Sequence, residues 1–293
     1  MTGPRRAWQA AVDAMASAVV VVAVCTGCAP GTAAGPTRLV PVVLDEVPVA
    51  PAFVEGLTLL GGRQVLESSG SPDDHEPSAI RLLDIRTGAV QRQQLLPGVF
   101  AEGVAVVSGR SGPVIWLLSW RDGVVIRLNK DLTELDRRPL TGAREGWGLC
   151  STSDGRLISS DGTNRLTVRD GTTFAPTGTI TVTERGRPLD QLNELECANG
   201  ALWANVWPTD ELARIDQATG RVTATVDLTE LHDREHPDRV SDPDAVPNGV
   251  AVADDGTLWL AGKEFPQLVH VRLTPAPEPS AATTVPTTPP AGG

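Results

Sequence analysis

The stretch AFVEGL at residues 52–57 returns as VFAEGV at 99–104. A Phe, a small or apolar residue, Glu, Gly and an aliphatic residue recur in the same order 47 residues later. Further copies follow downstream. FVEGLTLLGGRQVLESSG starts at 53 and FAEGVAVVSGRSGPVIWLLSW at 100. GWGLCSTSDGRLISSDG starts at 146, LNELECANGALWANVW at 192 and PNGVAVADDGTLWLAGK at 247. The marker residues Gly56, Gly103, Gly148, Glu194 and Gly249 are 47, 45, 46 and 55 apart. Each unit opens on a polar or aromatic residue, runs through a short apolar strand, turns at glycine and enters a second strand.

DIRTG (84–88) and DQATG (216–220) recur as outer hairpin turns, and helix-length periodic stretches are missing. Five four-strand units at this period predict an all-β chain folded as a five-bladed β-propeller. LVPVVLDEVPV (39–49) is a spare strand before the first unit. It is expected to supply the outer strand of the last blade, closing the ring and covering free edges.

The ends of the chain are not part of this ring. MTGPRRAW, the apolar run AVVVVAV and CTGC read as a signal peptide over 1–27, too short an apolar run to span a bilayer. Thr26 and Gly27 before Cys28 resemble a bacterial lipobox, which predicts a lipid on Cys28 and a protein anchored outside the cytoplasm. Ordinary cleavage nearby, giving a secreted protein, is the alternative. Residues 28–37 read as a flexible spacer, 38–273 as the folded domain, and the Pro/Thr-rich 274–293 as a disordered tail. Cys150 and Cys197 then remain in an oxidising compartment. A disulfide is expected between them, two buried thiols being the alternative. The net charge of −11 argues against nucleic acid or an anionic membrane surface as partner.

A propeller gathers equivalent positions of all blades around its axis. The starts of the inner strands therefore bring Glu55, Glu102, Trp147, Asn193 and Asn248 to one mouth of the channel. Trp120, Asp161, Trp207 and Lys263, at the ends of the second strands, are expected close by. Carboxylates, amides, indoles and a lysine are costly in a core and useful in a pocket. Trp116, Trp203 and Trp259 sit mid-strand and are expected to pack blades. Asn248 and Asp161 read equally well as turn residues.

These residues carry a resemblance to the glutamine cyclotransferases, the glutaminyl-peptide cyclotransferases of plant and bacterial type. FAEG, LLSW, EGWGL, SDGT, LNELE, ANVW and AGKEFPQL fall in the family's order over about 50–272. The resemblance implies a five-bladed propeller, an N-terminal Gln peptide as substrate, pyroglutamate and ammonia as products, and no cofactor or catalytic zinc. It also implies a proton-transferring role for Glu102, with Asn193 and Lys263 holding and polarising the substrate. Phe53, Phe100, Trp120, Trp147 and Trp207 would form the aromatic walls. One position departs: the family commonly has Gln where this chain has Glu55. A second carboxylate there is expected to raise the pKa of Glu102 or to bind the substrate ammonium.

Two rival readings are a calcium-dependent lactonase-type propeller and a non-catalytic binding module. Five repeats rather than six, and Lys263 at the expected site, argue against the first; the near-complete residue set argues against the second. HDREH (232–236) fits an inverted zinc-protease pattern. Pro237 follows it at once, so a continuing helix is not expected and the segment reads as a solvated insert. A closed propeller needs no partner for stability, and a monomer is expected.

Overall fold

The computed structural model describes residues 35–71, 77–109, 112–237 and 244–277. Strand β1 (Thr37–Pro48) comes first. Blade 1 follows as β2 (Val54–Gly61), β3 (Gln64–Ser69), β4 (Ser78–Asp84) and β5 (Val90–Leu96). Blade 2 is β6 (Ala101–Gly109), β7 (Gly112–Ser119), β8 (Val124–Asn129) and β9 (Glu134–Pro139). Blade 3 is β10 (Leu149–Ser151), β11 (Leu157–Ser159), β12 (Arg165–Arg169) and β13 (Pro176–Thr181). A small hairpin, β14 (Thr183–Glu184) and β15 (Arg187–Pro188), leads into blade 4. That blade is β16 (Leu192–Ala198), β17 (Ala201–Val206), β18 (Glu211–Asp216) and β19 (Val222–Asp227). Helix α1 (Thr229–Glu235) precedes β20 (Pro247–Val252), β21 (Leu258–Gly262) and β22 (Gln267–Pro275). Strand β1 pairs antiparallel with β22 as the fourth strand of blade 5, and so joins the two chain ends in one sheet. The predicted closure is borne out.

Inner strands β2, β6, β10, β16 and β20 contact one another in a cycle, β20 returning to β2. Five apolar clusters fill the five gaps between successive blades. Leu66 and Ile80 of blade 1, for example, meet Val104, Leu117 and Ile126 of blade 2. Middle strands are thus buried on both faces, which is why VIWLL in β7 reads as a continuous apolar run rather than an alternation. Truncating one such residue to Ala is worth about 2–5 kcal/mol. The outer strands β5 and β9 carry Gln and Arg on their exposed faces, which discourages edge pairing.

The mid-strand indoles are packing groups, as expected. Trp116 faces Arg127 across β7 and β8, with the guanidinium 5.5 Å from the ring centre. Trp203 faces Arg214 in the same way at 5.9 Å, and His270 stacks on Trp259 at 4.4 Å. One cross-strand cation or imidazole over one indole recurs in three blades. Cys150 in β10 and Cys197 in β16 form the expected disulfide, with an S–S distance of 2.01 Å, linking the inner strands of blades 3 and 4.

Two expectations need correction. HDREH does not lie in a solvated insert: its first four residues complete helix α1, in which Leu231, His232 and Glu235 are buried. The His232 ring lies between Asp210 Oδ1 at 2.5 Å and Ala245 O at 2.6 Å, against Phe265. Leu228 and Leu231 anchor the turn between blades 4 and 5, and the helix ends before Pro237. The folded region also exceeds 38–273, because β1 begins at Thr37 and Thr274 and Pro275 pair with Val40 and Leu39. The expected signal peptide, Cys28 and most of the expected tail lie outside the described residues.

Candidate active site

Four of the five inner strands break register at the same end. The shift falls between Val54 and Gly56, Ala101 and Val104, Leu192 and Leu195, and Pro247 and Val250. Glu55, Glu102, Asn193 and Asn248 sit inside those irregularities. A bulge re-aims a side chain that regular pleating would have sent into an interblade core.

The glycines that mark the repeat let the inner strands approach. A Cβ at Gly103 would lie 2.4 Å from Leu149 N, and one at Gly148 2.1 Å from Asn193 O. In blade 4 the repeat position is Glu194 instead. Its Oε1 accepts the Leu57 N–H at 3.3 Å and its Oε2 the Val250 N–H at 2.9 Å, tying the inner strands of blades 4, 1 and 5. This carboxylate lies fully buried among the inner strands.

Residues in or just after the second strands fix the site backbone of the following blade. Ser68 Oγ donates to Glu102 O at 2.5 Å, and Ser160 Oγ donates to Asn193 O at 2.7 Å. Asn205 donates to Pro247 O and accepts the Gly249 N–H, bracketing Asn248. Ser68, Ser160 and Asn205 escape sequence reading, although they recur 11 or 12 residues after Gly56, Gly148 and Glu194.

The structure brings Phe53, Glu55, Phe100, Glu102, Trp120, Trp147, Asn193, Trp207 and Lys263 around one cavity of about 460 Å³. Ser71, Arg121 and Asp244 also line it and are absent from the sequence reading. Phe53 meets Phe100 edge-on at 6.3 Å, Phe100 tilts against Trp120 at 5.4 Å, and Trp147 meets Trp207 edge-on at 6.1 Å. Phe100 packs on Gly70 and Trp147 on Gly162, where a Cβ would lie 2.2 Å and 2.8 Å from the rings.

Polar groups complete the lining. Lys263 Nζ is 2.9 Å from Glu55 Oε1 and 4.3 Å from the Phe53 ring centre. Asn248 Nδ2 donates to Glu55 Oε2 at 2.8 Å and to Val54 O at 3.0 Å, so Asn248 braces Glu55 rather than lining the cavity. Asp161 accepts from Thr163 N–H and Oγ1 and stays a turn residue. Glu102 Oε2 and Asn193 Oδ1 are buried with no hydrogen-bond partner among the described residues. A buried polar atom left open is costly unless a ligand completes it.

Burial pushes the Glu102 carboxyl well above the usual carboxylate range, and the negative charge of Glu55 pushes it further, against the pull of Lys263. Burial also raises Glu55, to about 7, with Lys263 and Asn248 opposing. An aromatic box, a carboxyl whose pKa burial raises, and a lysine make a site suited to proton transfer on a small uncharged side chain.

The glutamine cyclotransferase family model matches residues 15–273. A glutaminyl-peptide cyclotransferase of Arabidopsis thaliana is 32% identical over 240 residues, covering 80% of this chain and 71% of the relative. The crystal structure of Myxococcus xanthus glutaminyl cyclase matches with a TM-score of 0.72 and 33% identity, covering 83% of this chain and 100% of that one. Repeat, ring and matches agree, and the chain belongs to the glutamine cyclotransferase family.

Proposed function

We propose that the cavity converts the N-terminal glutamine of peptides and proteins into pyroglutamate with release of ammonia. The observation that carries this is Glu102: a buried carboxyl, one oxygen of which has no hydrogen-bond partner among the described residues, lining a cavity walled by aromatic rings and shared with Lys263. The family match supports the same reaction.

Nucleophile and electrophile belong to one substrate residue, so folding the Gln side chain back toward its own α-nitrogen supplies most of the proximity effect. The aromatic walls do this. The Glu102 carboxylate takes a proton from the α-ammonium, and burial, by raising its pKa, makes it a stronger base for that step. The freed amine attacks Cδ and forms the ring C–N bond, while negative charge gathers on the γ-oxygen. Lys263, which has three N–H donors and spends one on Glu55, and the Asn193 amide N–H stabilise that oxygen. Glu102 then delivers that proton to the departing nitrogen as the old C–N bond breaks and ammonia leaves, and the regenerated carboxylate takes the second hydrogen from the ring nitrogen and passes it to ammonia or solvent.

Export belongs to this reading, with an anchor at Cys28 and action by a monomer on peptides outside the cytoplasm. The Cys150–Cys197 disulfide supports an oxidising compartment. The test is incubation of the protein with a Gln-initiated peptide and with its Nα-acetylated counterpart. Ammonia release and the matching mass loss are expected from the first alone. A folded protein that leaves the free peptide at its spontaneous rate would contradict the assignment.

A further inference from the structure

The five rings of the cavity fall into two stacks. Phe53, Phe100 and Trp120 touch in one, Trp147 and Trp207 in the other, and among the described residues no ring contact joins Trp120 to Trp147. A single carboxylate joins them instead. Glu145 Oε2 accepts the indole N–H of Trp120 at 3.1 Å and that of Trp147 at 3.0 Å. Its Oε1 accepts Arg121 Nε–H at 3.1 Å, and the Arg121 guanidinium lies 3.7 Å from the centre of the Trp120 ring.

An indole N–H can only donate, and an ionised carboxylate can only accept. Two indoles on one oxygen therefore fix the angle between two rings that otherwise share no contact. Arg121 holds the other carboxylate oxygen and lies over the Trp120 ring. The backbone repeats the link, since Gly146 N–H donates to Trp120 O at 3.0 Å. Glu145 itself does not line the cavity. It acts through the rings.

We propose that Glu145 is a positioning residue for the cyclisation, locking the two aromatic stacks into one wall of fixed shape against which the glutamine side chain folds. This rests on the cyclotransferase reading given above. Rings held by a charge-assisted hydrogen bond keep a near-attack geometry that freely rotating rings would lose. The electrostatics agree with the geometry. Burial opposes the charge on Glu145, but hydrogen bonds from Trp147, Arg121 and Trp120 outweigh it and hold the carboxyl below its ordinary range. The groups whose charge reaches Glu102 are Glu55, Lys263 and Glu145, and the charge on Glu145 raises Glu102.

The test compares Glu145→Ala, Glu145→Gln, Trp120→Phe and Trp147→Phe on a Gln-initiated peptide. Glu145→Ala is expected to lower kcat/KM by about tenfold to a hundredfold. Glu145→Gln keeps an oxygen for the indoles and should stay within about threefold of wild type. Both should move the acid limb of the pH–rate profile to lower pH, because a negative charge near Glu102 is gone. Adding Trp120→Phe to Glu145→Ala should cost little more, because the two changes break one bond. Independently of activity, the indole N–H signals assigned by the two Trp→Phe variants should exchange faster with solvent in Glu145→Ala. A natively folded Glu145→Ala with kcat/KM within about twofold of wild type, or with unchanged indole exchange, overturns the proposal. Should Glu145→Ala fail to fold, Trp120→Phe and Trp147→Phe carry the test, since each removes one indole N–H donated to Glu145, and kcat/KM within about twofold of wild type in both overturns the proposal. Should the wild type not turn over Gln peptides, the cyclotransferase reading fails while indole exchange still decides the clamp.

Discussion

Lys263 Nζ stands 2.9 Å from Glu55 Oε1, with both side chains at least nine-tenths buried, and Asn248 holds the other Glu55 oxygen. The extra carboxylate is thus already engaged by two protein groups and acts on Glu102 through charge. Replacing Glu55 by Gln keeps an acceptor for Lys263 and removes that charge. The expected outcome is an active enzyme whose acid limb moves to lower pH, since Glu102 then loses its proton more readily. A pH profile of kcat/KM for Glu55→Gln checks this, and a shift to higher pH would contradict it.

Cys150 and Cys197 are 47 residues apart, one blade period, and join the inner strands of neighbouring blades. Replacing both by Ser frees a long loop in the unfolded chain and should cost about 2–5 kcal/mol. Thermal unfolding of the double variant, against wild type with and without reductant, measures it. The reduced wild type and the variant should unfold at similar temperatures.

At the opposite end of strand β16 from Asn193, Glu196 accepts from Val252 N–H and Thr58 Oγ1, both at 3.4 Å, and lines a second cavity. Burial raises its pKa to about 8, against these hydrogen bonds. A carboxyl raised on folding favours the folded state at low pH and loses that contribution as pH climbs through about 8. Glu196→Gln preserves both contacts without a charge. Its Tm should match wild type near pH 4.5 and exceed it by about 2–6 °C near pH 9. A higher Tm at low pH and none at high pH would contradict the assignment.

The ring was legible in the sequence because a propeller repeats its strand–turn–strand unit, and Gly56, Gly103, Gly148 and Gly249 recur where inner strands crowd. The position of the cavity followed from the same period, since equivalent residues must meet at the axis. What stayed hidden depended on contacts between blades. Ser68, Ser160 and Asn205 each act on the next blade's backbone, and a lone Ser or Asn in a strand carries no sign of its partner. Glu145 lies in a loop as one more surface-type carboxylate until the two indoles are seen to share it. Helix α1 was missed because TELHDRE has no apolar stripe long enough to declare a helix; a few anchors such as Leu231 and the buried His232 hold it.

The central claim is that Glu102 moves the proton that ring closure requires. It is tested most directly by single-turnover ammonia release from a Gln-initiated peptide, comparing wild type with Glu102→Gln. The substitution keeps the shape of the side chain and removes its ability to take and return a proton. The account predicts a loss of about a hundredfold to ten-thousandfold in the chemical step, with peptide binding retained. Turnover by Glu102→Gln within a few-fold of wild type would contradict it.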